Sequence, residues 1–106
     1  MAQEIHHIAI EDDWEMSRAY GLCEAATRGV PFEEEGFVHA TTADRVQEIA
    51  AARYGDVSFR LLDIVLSVEE LEAEGIAAAW VDGAPRVMAP IPLLPGVVVS
   101  EDTLRR

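Results

Sequence analysis

The segment Gly36-Phe37-Val38-His39-Ala40-Thr41-Thr42 sets one imidazole in an apolar run and closes on two hydroxyls. The pattern beyond it predicts a helix over 43–54, so these residues stand where a short buried strand runs into a helix N-terminus. Such a junction leaves free backbone N–H groups and the positive end of a helix dipole beside the last strand residues. Either Thr41 or Thr42 is placed to cap the helix, and Thr41 with Asp44 has capping-box spacing, with Asp in place of Glu. The chemistry on offer is anion binding next to a group that can exchange a proton near neutral pH. The same residues also describe a capped helix behind a core strand, with His39 hydrogen-bonded inside. Arg53 continues the apolar line of Val46, Ile49 and Ala50. An arginine at that point must snorkel, pair with an acid such as Glu24 or Asp56, or meet a ligand.

The elements that would position these groups follow from periodicity and turn chemistry. Ile5 to Ile10 reads as a first strand, in which His6 and His7 face opposite sides. That parity argues against a zinc site built from His6, His7 and His39. Glu11, Asp12 and Asp13 open a helix whose inward face is expected to be Met16, Ala19, Tyr20 and Cys23, with Trp14 nearby and Gly21 as its stop. Residues 22–35 read as an exposed loop, on the strength of Gly29, Pro31 and the solvated acidic run Glu33-Glu34-Glu35. Ser58 to Leu66 reads as a central strand, within which Asp63 is a strand-end or paired carboxylate. Ser67 caps a short helix. Asp82-Gly83 joins Ala77–Val81 to Ala84–Met88 as a hairpin, and a proline-punctuated connector over 89–96 leads to a last strand at Val97–Val99. Trp14 and Trp80 are expected in the core, and Cys23 as a structural thiol without a nearby base. The order of elements gives an α+β fold, with helices on a mixed or antiparallel sheet.

Composition bounds the function. The 106 residues form one domain, 1–106, and half of them are hydrophobic. One cysteine excludes an internal disulfide. No run reaches the ~20 apolar residues of a membrane helix, and Met1-Ala2-Gln3-Glu4 does not resemble a signal peptide, so a cytoplasmic protein is expected. The net charge is −12, and every basic side chain is arginine. That balance opposes long nucleic acid, which needs several phosphates neutralised. A small phosphorylated ligand held by one or two local arginines remains compatible with it.

Ile5-His6-His7-Ile8-Ala9, a Trp14 helix, Glu35-Gly36-Phe37-Val38-His39-Ala40-Thr41 and the helix and apolar strand that follow resemble the domain-of-unknown-function family 952 over nearly the whole chain. That family is similar to the ADP-ribosyltransferase fold, a small split β-sheet sandwich with flanking helices around a nicotinamide-dinucleotide cleft. The order of short patterns also resembles the RNA 2′-phosphotransferases, with His7 on the first strand, Val38-His39-Ala40-Thr41 next and Arg53-Tyr54-Gly55 after the helix. The resemblance implies NAD or another phosphorylated nucleotide as ligand. His7 and His39 are then the catalytic candidates, and Thr41, Thr42, Arg53 and Arg86 the ligand-binding ones. No metal is implied. Where family members carry Phe-Pro-His-hydrophobic-Tyr-Gly-Pro, this chain has Ala84-Pro85-Arg86-Val87-Met88-Ala89-Pro90. The loss of that His and Tyr weighs against turnover and toward a ligand-binding protein, with an active ADP-ribosyl- or 2′-phosphotransferase as the alternative.

Overall fold

The structure is a computed structural model that describes residues 3–27, 30–56 and 58–104. Met1, Ala2 and Gly29, used in the sequence reading, lie outside the described residues. Strand β1 (Glu4–Ile10) pairs antiparallel with β6 (Leu61–Ser67), which pairs on its other side with β10 (Val98–Thr103). β6 is therefore central, as its apolar sequence predicts. A second sheet has the order β5-β8-β7, with β5 at Val38–His39, β8 at Ala84–Val87 and β7 at Ala78–Val81. The two sheets meet at one antiparallel bridge between His6 and Thr41. All pairings among the described residues are antiparallel. The result is an α+β fold built on a small split sheet sandwich.

Strand alternation divides the core in two. Ile5, His7 and Ala9 stand opposite Leu66, Ile64 and Leu62, and this face joins Trp14, Cys23, Val38, Leu71, Val87 and Ile91 in the larger core. Their neighbours in sequence, His6, Ile8 and Ile10, stand opposite Val65, Asp63 and Leu61 on the other face. There Ile8 and Leu61 pack under Val46, Ala50 and Tyr54 of helix α3 (Val46–Tyr54). Each fully buried aliphatic side chain contributes about 1.5–3 kcal/mol, so both faces of this sheet are worth covering.

Several elements differ from expectation. Helix α1 (Glu11–Tyr20) ends at a left-handed Gly21 as predicted, but it buries Trp14 and Ser17, not the Met16–Tyr20 line. Met16 and Tyr20 are 63% and 78% exposed. Four competing apolar residues blur the stripe, and the indole, the largest of them, takes the core. Residues 22–35 are not a plain loop. They hold β2 (Leu22–Cys23), β3 (Ala25–Thr27), β4 (Val30–Pro31) and one helical turn, α2 (Phe32–Glu35). β3 pairs with β4, and β2 pairs with β9 (Ile91–Pro92) inside the proline-rich connector. These pairings are too short and too distant in sequence to leave a periodic signal. β6 begins at Leu61 and leaves Phe59 exposed, and Trp80 is 45% exposed on the edge strand β7. Ser67 caps α4 (Val68–Ala73) through its Oγ, which accepts from the Glu70 N–H. The 82–83 turn has both residues at positive φ, as a two-residue hairpin requires.

Candidate functional site

Between the sheet edge and α3 lies a cleft of about 250 Å³. Its walls carry His6, His39, Thr41, Arg45, Arg53 and Arg86, with apolar surface from Ile8, Ile49 and Pro85. Three of the chain's eight arginines therefore converge on one hollow of a molecule whose net charge is −12. The hairpin turn sets Asp82 at the same cleft, so the cationic wall faces one carboxylate.

Each functional side chain is placed by a simple local cause. Register pairs His6 with Val65, two residues from Asp63 on β6, so the imidazole and the carboxylate are diagonal neighbours on one face. His6 Nδ1–H donates to Asp63 Oδ1 at 2.7 Å. An ionised carboxylate only accepts, so this bond fixes the proton on Nδ1 and leaves the Nε2 lone pair available. His39 is held the opposite way round. Arg53 Nη1 donates to His39 Nδ1 at 2.9 Å, and a guanidinium has no acceptor to offer in return. The His39 proton therefore sits on Nε2, 3.4 Å from Glu35 Oε1. Burial and the Arg53 charge hold His39 below its ordinary pKa, with Glu35 opposing them and Arg86 adding to them. Arg86, opposite His39 in the β5–β8 register, lies 4.2 Å above the Phe37 ring, which in turn meets the His39 ring at 4.6 Å. Arg86 has no carboxylate partner among the described residues, so its forked donors are available to an anion.

The sequence candidates separate accordingly. His39, Thr41, Arg53 and Arg86 share the cleft. His7 does not line it, and this corrects the expected convergence of His7 with His39. The His7 ring is 2% exposed in the larger core, where Nδ1–H donates to the His39 backbone carbonyl at 2.8 Å. The imidazole that shares the cleft with His39 is His6. Thr42 is also absent from the cleft wall. Its hydroxyl donates to Asp44 Oδ1 across a 3-10 turn (Ala43–Arg45) that precedes α3, and no side chain caps that turn's backbone. The Thr41–Asp44 capping box does not form because the Thr41 N–H and C=O are both spent on the bridge to His6. The cleft's positive character comes from guanidinium groups, not from a capped helix end.

Local sequence does not single out two of the lining residues. His6 stands out only beside His7 and as a zinc ligand that strand parity disfavours, and Arg45 carries no local signal, although it lines the cleft while bonding Glu48 at 3.2 Å. Asp63 carried a usable signal, since a carboxylate amid Leu61, Leu62, Ile64 and Val65 needs a partner. Beneath the cleft, His7 and Cys23 form a buried pair, which corrects the view of Cys23 as a thiol without a base. Burial is the largest single influence and opposes ionisation of both groups, but their mutual bond and charge, together with the His39 carbonyl at the imidazole and Ala25 and Ser17 at the thiol, outweigh it. The imidazole is thereby raised above its ordinary pKa and the thiol lowered below its own. Among the described residues, no three His, Cys, Asp or Glu side chains are grouped to hold a metal ion. No helix among them is long and apolar enough to cross a membrane.

No family model matches the chain, and no curated protein matches it. The crystal structure of protein CC0527 from Caulobacter crescentus superimposes with a TM-score of 0.73 at 24% identity, covering 97% of this chain and 87% of that one. A double-methionine variant of the same protein gives 0.72 at 23% identity, with the same coverage. At this level the likeness concerns the fold.

Proposed function

We propose that the cleft binds a small phosphorylated ligand of nucleotide type, with NAD among the candidates. The observation that carries this reading is the convergence of Arg45, Arg53 and Arg86 with two imidazoles on one concave surface of an acidic protein. Planar guanidinium forks match phosphate oxygens, and a low-dielectric wall such as Ile8, Ile49 and Pro85 strengthens each contact. The volume of about 250 Å³ lies at the small end of ligand pockets. A phosphate with a compact attached group fits within it, whereas a whole dinucleotide would extend beyond its mouth. The resemblance to family 952 and to the ADP-ribosyltransferase fold supports a nucleotide, because His39, Ala40 and Thr41 of its Val38-His39-Ala40-Thr41 segment line the cleft. Arg86, standing where that family carries His, adds charge to the cleft, and Met88, at the family's Tyr position, is exposed and outside it. Both exchanges favour binding over the family's transfer chemistry.

The test is a thermal-shift and calorimetric series with inorganic phosphate, AMP, ADP-ribose and NAD. A ligand at about 100 times its dissociation constant adds about 2.7 kcal/mol, which for a domain of this size raises Tm by roughly 10 °C. Arg86→Ala and Arg53→Ala should each remove most of the shift. Absence of a shift with every phosphorylated compound would overturn the reading. An active ADP-ribosyl- or 2′-phosphotransferase would instead release nicotinamide from NAD, with loss on His39→Ala.

A further inference from the structure

The arginines and His39 present only donors to the cleft. A guanidinium has no acceptor, the His39 Nδ1 lone pair is taken by Arg53, and its Nε2 carries a proton toward Glu35. His6 differs from all of them. Asp63 fixes its Nδ1–H from behind at 2.7 Å, and the side chains are only 14% and 20% exposed, so the ring is held in one tautomer and orientation. That leaves a lone pair on Nε2 of a ring that lines the same cleft as Arg53 and Arg86. An oriented imidazole backed by a carboxylate is the arrangement that takes a proton from an attacking oxygen and stabilises the imidazolium formed.

We propose that the His6–Asp63 pair makes this cleft a hydrolytic site for compact phosphodiesters. His6 acts as general base and Asp63 as the residue that positions it. The inference rests on the reading of the cleft as a phosphate site. In the step, His6 Nε2 removes a proton from water as the water oxygen bonds to phosphorus. The ester P–O bond opposite breaks, and its electron pair leaves with the departing oxygen. The imidazolium then returns its proton to solvent or to that oxygen. Arg53 and Arg86 hold the non-bridging oxygens and offset the charge that builds on them. A diester is favoured over a monoester because a monoester passes through a loose, largely dissociative transition state and gains little from a base acting on the nucleophile. A polymeric diester is opposed by the charge of −12.

The probe is methyl p-nitrophenyl phosphate, followed by release of p-nitrophenolate, with inorganic phosphate binding measured on the same samples by calorimetry. Turnover by the intact protein is expected. His6→Gln should lower kcat by roughly a hundredfold or more, and Asp63→Asn should lower kcat with KM little changed. Arg86→Ala should raise KM as well as lower kcat, because Arg86 both binds the phosphate and offsets the charge that builds on it. That split separates positioning from a merely structural role, and thermal melts confirm that each variant is folded. Phosphate binding without turnover of the probe would overturn this proposal and leave the binding site standing. Turnover that survives both His6→Gln and Asp63→Asn would overturn it as well. Failure to bind phosphate at all would remove the phosphate site, and this proposal with it.

Discussion

Exchanging the two adjacent histidines of β1 for alanine, one at a time, tests the sheet-face assignment on which the cleft depends. His7→Ala deletes a ring that is 2% exposed and removes the donor to the His39 carbonyl. Orphaning a buried acceptor costs about 1–3 kcal/mol, and the void left by the ring adds about 2 kcal/mol or more. A loss of roughly 3–5 kcal/mol is a large share of the ~5–15 kcal/mol available to a domain of this kind. His6→Ala removes a ring at the rim of a water-accessible cleft, and solvent can reach Asp63, so about 1 kcal/mol is expected. Urea unfolding followed by circular dichroism resolves the two. With a slope of roughly 1–3 kcal/mol per molar, His7→Ala should move the midpoint by more than 1 M and His6→Ala by a fraction of that. His7→Leu, which fills the space but offers no donor, should fall between them. If His6→Ala proves as costly as His7→Ala, the parity of β1 is inverted and the assignment of the two imidazoles fails.

Nitrogen-15 spectra of the imidazoles near neutral pH should show His6 protonated on Nδ1 and His39 on Nε2. The same tautomer at both sites would contradict the Asp63 and Arg53 bonds. His39 is held below 6.5 in the fold, so between its folded value and 6.5 the unfolded chain binds more protons and stability falls as pH is lowered through that window. The wild type should therefore lose stability relative to His39→Gln as pH drops below 6.5, and parallel profiles would refute the cause assigned to the shift. Gly83→Ala, at φ +79°, should cost about 1 kcal/mol by thermal melt. Asp82→Asn, which tolerates the same turn, should cost almost nothing.

The sequence carried the architecture where local chemistry is strong. The Asp82-Gly83 turn, the Ser67 cap, the Gly21 stop and the apolar run of β6 each specify their element without help from distant residues. The site was half legible for a related reason. His39 and Arg53 stand beside a strand-to-helix junction that declares itself, while the choice between His6 and His7 turns on strand parity. Parity is normally read from one polar face, but this sheet is covered on both sides. Ile5 and Ala9 point one way and Ile8 and Ile10 the other, so hydrophobicity cannot sort them. The deciding partners, Asp63 and the His39 carbonyl, lie 57 and 32 residues away in sequence. Helix α1 failed in the same manner, because Met16 and Tyr20 match the helical period as well as Trp14 does.

Arg86, Phe37, His39 and Arg53 touch in succession, from hairpin strand to helix, as two rings between two guanidinium groups. These residues come from β8, from β5 and the residue before it, and from α3, so a phosphate drawn to one end acts on the other through the two intervening rings. The two outer guanidinium groups should then answer a ligand jointly. In a double-mutant cycle their removal should fall short of the sum of the single losses, with Phe37→Leu cutting the link between them.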